Sequence, residues 1–113
     1  MGCLFCNILE KKIPADVVYE DDHCVAFRDI RPVAPTHVLV IPKTHVAAIH
    51  DLEDAHVETM GRLLLAVRKV ADKLALVEDG FRTVINDGDH AGQTVHHIHA
   101  HVLGGRSFSW PPG

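Results

Sequence analysis

The stretch Gly92-Gln93-Thr94-Val95-His96-His97-Ile98-His99-Ala100-His101-Val102-Leu103 decides the fold and indicates the chemistry. Side chains alternate between the two faces of a β-strand, so this spacing places His97, His99 and His101 on one face. The apolar residues between them then point to the opposite face, toward a core. We therefore predict that the last strand runs from about residue 94 to residue 103 and carries three histidines on one face.

Three roles are open for this row of histidines. A structural role is the first, since buried polar side chains are kept by hydrogen bonds. Zinc coordination is the second, but the outer histidines of a straight strand lie about 13 Å apart, which is too far for one tetrahedral ion. Nucleophilic catalysis is the third, because neutral imidazole attacks phosphorus while its neighbours donate protons or bind phosphate oxygens. We favour the third role because it uses all three side chains.

The rest of the chain predicts an α+β domain with a mostly antiparallel sheet covered by a helix on one face. Apolar residues spaced by three and four predict a long helix over about residues 52–77, with Asp51 as its N-cap and Gly80 just past its end. Residues 3–10 form a short helical turn or an irregular lead-in. Short apolar runs between turn signals predict further strands at 17–20, 24–27, 37–41 and 81–85.

Length and composition predict a single domain covering residues 1–113. The chain has 47% hydrophobic and 23% charged residues, which is a globular profile. Its formal net charge of −4 argues against a nucleic-acid-binding protein with a broad basic face. No apolar run approaches the roughly 20 residues of a membrane span, and no targeting segment is visible. We therefore expect a cytoplasmic protein with neither nucleic-acid nor membrane partners.

The three cysteines do not predict a disulfide framework, because their number is odd and no signal peptide precedes them. Cys3 and Cys6 form a C-x-x-C pair, which is typical of metal binding or of redox activity. Free thiols in a mobile N-terminus are the alternative. Cys24 lies in an apolar run and is expected to be a small buried hydrophobe.

Together these residues resemble the histidine triad (HIT) superfamily, whose signature alternates histidine with apolar residues as residues 97–103 do. The wider pattern is similar to the Hint branch, the histidine triad nucleotide-binding proteins, and it covers nearly the whole chain. The matching segments are Phe27-Arg28-Asp29-Ile30, Ala34-Pro35-Thr36-His37, Ile41-Pro42-Lys43, Asn86, Gly92-Gln93-Thr94-Val95, Leu103-Gly104-Gly105-Arg106 and Trp110-Pro111-Pro112-Gly113.

The resemblance implies a HIT-like fold, with a five-stranded sheet, one long and one short helix, and a sheet continued across a homodimer. It implies an enzyme that hydrolyses purine nucleoside phosphoramidates, including adenylated lysine and other aminoacyl adenylates, through a nucleotidyl-histidine intermediate. The family's nucleophile falls on His99, and its phosphate contact falls on His101. His97 and His37 match positions that hydrogen-bond within the site and assist proton transfer.

The resemblance also implies a nucleotide-binding set and no organic cofactor. Asp29 and Ile30 match positions that hold ribose and base, and Thr94 stands where many members carry serine. Trp110 is expected near the active site of the partner subunit, although the sequence alone reads it as a core or surface aromatic. The full set is Phe27, Asp29, Ile30, Asn86, Gly92, Gln93, Thr94, Val95, His101 and Trp110.

A structural zinc ion is implied by those bacterial relatives that carry the cysteine pair together with a histidine after Pro-Lys-Thr. The ligands here are then Cys3, Cys6, His45 and His97, and two thiolates with two imidazoles suit a closed tetrahedral site. Two other functions remain open. One is a purine-nucleotide-binding regulator with weak hydrolase activity, and the other is a dinucleoside polyphosphate hydrolase of the sister branch.

Overall fold

The computed structural model describes residues 2–113 of the chain. In chain order, its helices and strands are α1 (Leu4–Leu9), β1 (Val17–Glu20), β2 (Cys24–Arg28), β3 (Thr36–Pro42), α2 (Val57–Lys73), β4 (Arg82–Val84) and β5 (Ala100–Gly104). Short 3₁₀ turns lie at Ile49–Asp51, Asp54–His56 and Asp89–Ala91. The predicted α+β class, with five strands, one long helix and one short helix, is confirmed.

The strands form one antiparallel sheet in the order β1-β2-β3-β5-β4. In the central pair, β3 runs against β5 from Thr36↔Gly104 to Val40↔Ala100. In this register His37 lies opposite Leu103 and Leu39 lies opposite His101. The two histidines are therefore diagonal neighbours on one face, which is close enough for large side chains to meet.

The two faces of the sheet bury different sets of residues. One face packs under α2, and its cluster takes alternate residues of β2, β3 and β5: Cys24, Ala26, Val38, Val40, Ala100 and Val102. The other face packs under α1, where Phe5 joins Val25, Phe27, Leu39 and Ile41. Both faces of β2 and β3 are thus covered, which explains why these strands read as continuous apolar runs. Cys24 is fully buried, as predicted.

The long helix begins later than predicted, at Val57. The predicted N-cap Asp51 instead ends the first 3₁₀ turn, and the backbone is extended at Leu52 and Glu53. A capping box between Glu53 and His56 closes the second turn. Hydrogen bonds between side chains and backbone thus fix the conformation of residues 53–56, and the helix begins only after them.

The helix also ends earlier than predicted, at Lys73, and Gly80 does not terminate it. Ala75 adopts a left-handed conformation with φ 59°. The Leu76 N–H donates to the Ala71 carbonyl at 2.9 Å, and the Ala75 N–H donates to the Asp72 carbonyl at 3.2 Å. These two bonds form a Schellman C-cap with alanine at the position that usually carries glycine.

The last strand is shorter than predicted, because β5 begins at Ala100 and residues 94–99 are irregular. Its ladder partner β3 ends at Pro42, which has no N–H to donate. The Pro42 carbonyl instead accepts from the His97 ring at 2.8 Å, and the Ile98 N–H donates to the Val46 carbonyl at 2.7 Å. β4 likewise spans only Arg82–Val84 of the predicted residues 81–85. Within residues 2–113, no helix combines the length and apolar character that crossing a bilayer requires.

Candidate active site and metal cluster

Four histidine side chains converge on the α1 face of the sheet. His37 comes from β3 and His101 from β5, while His97 and His99 come from the irregular segment before β5. The ring centroids of His99 and His101 lie 5.1 Å apart, and those of His37 and His101 lie 5.2 Å apart. The predicted strand is therefore wrong over residues 94–99, yet the three histidines do reach one face. Ile98 between them is buried.

The hydrogen bond of His99 decides which of its nitrogens is free. Its Nδ1 lies 2.7 Å from the His97 carbonyl oxygen. A carbonyl only accepts, so Nδ1 carries the proton and the neutral ring keeps its lone pair on Nε2. Within residues 2–113, every buried side-chain nitrogen or oxygen has a hydrogen-bond partner. Because His99 Nε2 has none there, this nitrogen must lie on an accessible wall of the site.

Burial keeps the four rings neutral near pH 7. It lowers the pKa of His37, although Asp29 opposes the shift. It also lowers the pKa of His97 and of His99. The pKa of His101 falls to about 4, because burial acts together with the neighbouring His99 and His37 rings. Neutral imidazole is the nucleophilic form, so these shifts favour attack by His99 over a wide pH range.

A cavity of about 530 Å³ opens in front of His99 and His101. Its walls are mainly apolar and come from α1, the 13–16 segment and β2, with Asp29, Thr94 and Val95 at its rim. Asp29 Oδ1 accepts the Arg31 N–H at 2.7 Å, while Oδ2 lies 3.5 Å from His37 Nε2. The site thus combines an apolar chamber, two carboxylates (Asp16 and Asp29) and a row of neutral imidazoles, which is typical of a small-molecule site.

The predicted nucleotide-binding residues separate into two groups. Those that line the cavity are Phe27, Asp29, Ile30, Thr94, Val95 and His101. Those that do not are Asn86, Gly92, Gln93 and Trp110. Trp110 is 82% exposed in the single chain, and Gly92 adopts φ 86° in a solvent-exposed turn. These two residues lie on the surface of this chain.

Gln93 holds the loop instead of facing the cavity. Its amide donates to the Ala47 carbonyl at 2.8 Å and to the Val95 carbonyl at 3.1 Å. Its side-chain oxygen accepts the Gly88 N–H at 2.9 Å. The side chain is buried and all its bonds go to backbone groups. It therefore fixes the segment that leads into the histidines.

The sequence analysis missed one wall of the cavity. Leu4, Phe5 and Ile8 of α1 line it, together with Ile13. The Phe5 ring meets His99 edge-on at 5.0 Å and Phe27 at 5.4 Å. The apolar i, i+1, i+4 spacing within residues 4–8 was the available signal, but a six-residue helix is too short to be assigned from periodicity alone.

The four predicted metal ligands come together beside this cavity. Cys3 Sγ lies 3.4 Å from His97 Nδ1, Cys6 Sγ lies 3.6 Å from the same atom, and Cys6 Sγ lies 3.2 Å from His45 Nδ1. The two Nδ1 atoms of His45 and His97 are 3.1 Å apart. All four donor atoms lie within 4.8 Å of one another.

This donor set fits a tetrahedral ion. Tetrahedral zinc with ordinary Zn–S and Zn–N bonds requires about 3.6 Å between sulfur and nitrogen and about 3.3 Å between two nitrogens. The observed separations of 3.2–3.6 Å and 3.1 Å match these values. His97 donates its Nε2–H to the Pro42 carbonyl at 2.8 Å, which leaves the Nδ1 lone pair facing the cysteines. Burial and the Cys3 thiol raise the pKa of Cys6 to about 11, so a bound cation is what would favour the thiolate.

Comparison with known proteins agrees with this fold. The chain matches the family model of the HIT domain over residues 10–108. It is 53% identical over 110 residues to an uncharacterized HIT-like protein of Synechococcus elongatus, covering 97% of this chain and 96% of that protein. It is 50% identical over 112 residues to the 14 kDa zinc-binding protein of Zea mays, covering 97% and 87% of the two chains.

A solved structure shows the same architecture. The HIT family hydrolase from Legionella pneumophila superposes with a TM-score of 0.96 at 51% identity, over 99% of this chain and 100% of that one. The alternating histidines, the sheet that presents them and the family match over most of the chain lead to one conclusion. The protein belongs to the HIT domain family and has the fold of HIT family hydrolases.

Proposed function

We propose that this protein hydrolyses the P–N bond of purine nucleoside phosphoramidates, such as AMP-lysine, through a covalent nucleotidyl-His99 intermediate. The observation that carries the proposal is the free Nε2 lone pair of His99, set by the bond from Nδ1 to the His97 carbonyl. It also rests on the resemblance to the Hint branch and on the similarity to HIT family hydrolases.

The first step forms a bond from His99 Nε2 to phosphorus and breaks the P–N bond, and the leaving amine takes up a proton. The positive charge that develops on the ring is stabilised by the Nδ1–H bond to the His97 carbonyl. In the second step water attacks phosphorus, the His99–P bond breaks, and a proton from the water is released. The net reaction is phosphoramidate plus water giving amine plus nucleoside monophosphate. His101 is the contact to the phosphate oxygens.

The nucleotide occupies the cavity in this proposal. The apolar walls, including Phe27, Ile30 and Val95, contact the base. Asp29 accepts hydrogen bonds from the ribose hydroxyls, and the Thr94 hydroxyl contacts the phosphate or the leaving group. His37 and His97 assist from within the protein, while Asn86, Gly92 and Gln93 act through the loops around the site. Trp110 reaches the active site of the partner subunit in a homodimer.

A structural zinc ion at Cys3, Cys6, His45 and His97 completes the proposal. The ligand separations and the fixed Nδ1 lone pair of His97 support it, as does the similarity to a zinc-binding protein of Zea mays. The ion supplies cross-linking of the chain and takes no part in the reaction. The residues themselves join α1 to the segment that carries the nucleophile.

Trapping of the adduct tests the function. Wild-type protein is mixed with an adenosine 5′-phosphoramidate, quenched in denaturant and analysed by intact mass. We expect turnover and a mass increase of one adenylyl group in the wild type, and loss of both in His99→Ala by a factor of about 10⁴ or more. His23→Ala is the matched control, because this exposed histidine lies in the β1–β2 turn far along the chain from the triad.

Three outcomes separate the alternatives. Tight AMP or GMP binding with negligible turnover by the wild type would replace the enzyme with a nucleotide-binding regulator. Equal turnover by the wild type and His99→Ala would exclude His99 as the nucleophile. Faster cleavage of dinucleoside polyphosphates than of phosphoramidates would indicate the sister branch of the family.

A further inference from the structure

The loop before β3 makes a hydrogen bond that the proposed reaction does not use. The backbone N–H of Val33 donates to Nδ1 of His37 at 3.1 Å. A backbone N–H can only donate, so His37 Nδ1 must carry a lone pair. The neutral His37 ring then has its proton on Nε2. A single peptide group outside the histidine row thus selects the tautomer of His37.

The tautomer of His37 in turn determines the tautomer of His101. His37 Nε2 lies 2.9 Å from His101 Nδ1 and 3.5 Å from Asp29 Oδ2, so His101 is the nearer acceptor. When His101 Nδ1 accepts, the neutral His101 ring carries its proton on Nε2. No atom within residues 2–113 hydrogen-bonds to this Nε2–H, and His101 lines the cavity. The N–H is therefore available to a ligand there.

The backbone of Val33 is also held at its carbonyl, in the peptide group that follows the N–H. Arg106 Nη2 donates to the Val33 carbonyl at 3.2 Å. The Arg106 guanidinium stacks on the Phe108 ring, 4.2 Å from its centroid. The Val33 side chain, by contrast, is 62% exposed. The structure thus holds the backbone of this residue while leaving its side chain mostly in solvent.

We propose that the Val33 peptide is a positioning group that fixes His101, through His37, as a hydrogen-bond donor toward the cavity. Arg106 holds the backbone of the same residue through the Val33 carbonyl. In the opposite tautomer His101 would turn a lone pair toward the phosphate oxygens and repel them. With the tautomer fixed, the two neighbouring histidines cannot exchange roles: His99 presents a lone pair and His101 presents an N–H.

The same hydrogen bonds exclude another role for this cluster. Asp29, His37 and His101 place three donor atoms within 4.8 Å of one another, as a metal site would. A metal on His37 Nε2 would require the proton to move to Nδ1, where it would face the Val33 N–H. The cluster is therefore a relay of hydrogen bonds, in contrast to the Cys/His cluster, where the lone pair of His97 is free.

Nitrogen NMR of the ¹⁵N-labelled wild-type protein tests the tautomers without substrate. At neutral pH we expect His37 and His101 each to show a protonated Nε2 and an unprotonated Nδ1. A protonated Nδ1 on His101 would overturn the inference. The positioning of a phosphate contact rests on the proposed function, but this measurement does not. If the tautomers are as expected and phosphoramidates are not cleaved, only the proposed function fails.

Val33→Pro removes the N–H, because proline has no backbone donor, and it also fixes the φ angle of this residue. We expect both histidines to populate mixed tautomers in this variant, with kcat reduced about tenfold and KM changed less, since a transition-state contact is weakened. Val33→Ala retains the N–H and should keep the wild-type nitrogen pattern. A folded Val33→Pro variant with unchanged tautomers would refute the inference. If that variant does not fold, Arg106→Gln replaces it, with Arg68→Gln on α2 as its control and the same spectra as the readout.

Discussion

At the residue scale, the histidines of the site differ by the one nitrogen that each commits to the protein. His97 gives its Nε2–H to Pro42, and His99 gives its Nδ1–H to His97. His37 accepts at Nδ1 from Val33. The remaining nitrogen of each ring is then fixed as a donor or an acceptor. His97 presents a lone pair to a metal and His99 presents one to phosphorus, while His37 presents an N–H to His101. Identical side chains thus perform different tasks because their backbone partners differ.

Protonation of His101 should destabilise the fold in acid. Its folded pKa of about 4 lies below the ordinary value of about 6.5, because burial and the rings of His99 and His37 outweigh Asp29. Between these values the unfolded chain binds more protons, so the free energy of unfolding falls as pH drops from about 6.5 to about 4. We expect His101 to account for about 1 kcal/mol of the loss between pH 7 and pH 5, after allowing for solvent screening of a partly exposed ring.

Urea unfolding of the wild type and His101→Asn at the two pH values measures this contribution. The asparagine amide oxygen can still accept from His37, and the contributions of His37 and His99 largely cancel in the comparison. We expect a smaller loss of stability in the variant. Equal losses in the two proteins would show that His101 titrates normally in the folded state.

The sequence predicted which histidines form the site, but it did not predict which nitrogen of each ring carries the proton. The H-x-H-x-H spacing identified the three rings as one row, and the resemblance to the HIT superfamily selected His99 among them as the nucleophile candidate. The tautomers depend on the carbonyls of Pro42 and His97 and on the N–H of Val33. Their positions follow from the three-dimensional path of the backbone, which no local pattern encodes.

At the scale of elements, α1 takes part in two structures at once. Phe5 and Ile8 form a wall of the cavity, while Cys3 and Cys6 at its start supply half of the metal cluster. The other half comes from His45, after β3, and from His97, before β5. A six-residue helix is not stable by itself in water, so it depends on these attachments.

Removal of the proposed zinc should therefore loosen α1 and the cavity together. As purified, the protein is expected to hold about one zinc ion per chain by elemental analysis. After chelation we expect amide exchange in α1 to become at least tenfold faster, AMP binding to weaken, and exchange in the core of α2 to change little. Cys6→Ser should behave like the chelated wild type. Unchanged α1 exchange after metal removal would contradict this coupling.

The C-cap of α2 offers a test of backbone strain. Ala75 has φ 59°, a left-handed conformation in which a Cβ atom is crowded and which glycine adopts without strain. Ala75→Gly should raise the free energy of unfolding by about 0.5–1 kcal/mol, since relief of strain exceeds the extra entropy of glycine in the unfolded chain. Thermal unfolding detects this as a higher Tm. The same change at exposed Ala55, outside the left-handed region, serves as the control and is not expected to stabilise.

The sequence predicted the elements whose position follows from the periodicity of apolar side chains. It predicted poorly the ends of elements, which are set by local capping hydrogen bonds. Spacing of apolar residues found α2, but the Glu53–His56 capping box and the Schellman bonds at Ala75 set its ends. The predicted start of β5 was wrong for a related reason. Its neighbour β3 ends at Pro42, which cannot continue the hydrogen-bond ladder between the two strands. That interruption belongs to another strand and cannot be read from the residues of β5.

At the scale of the whole molecule, the outer side of α2 exposes apolar side chains to solvent. α2 carries a second apolar stripe on its outer side, formed by Val57, Leu64 and Leu65, which are 75%, 56% and 54% exposed. Gly61 lies in the same stripe, where an added Cβ would meet open space. β4 is an edge of the sheet. An exposed apolar stripe and an open edge strand both suit a second copy of the chain, as the proposed homodimer requires.

The oligomeric state in solution tests this surface. We expect sedimentation to give about twice the 12.4 kDa of one chain. Leu64→Asp should weaken the association at least tenfold, because it places a charge within the apolar stripe. Arg62→Asp, at an exposed position of the same helix outside the stripe, should leave it unchanged. A monomeric wild type would disprove the dimer and, with it, the role of Trp110 at the partner's active site.

The contact between Cys3 and His97 joins residues 94 positions apart in the chain. Contacts of such long sequence separation form only after the intervening chain has been ordered, because closing a long loop costs entropy before it gains contacts. We therefore expect α1 to dock only after the sheet has formed. The chamber in front of His99 is completed at the end of folding, and a newly made chain acquires its structure before it acquires its site.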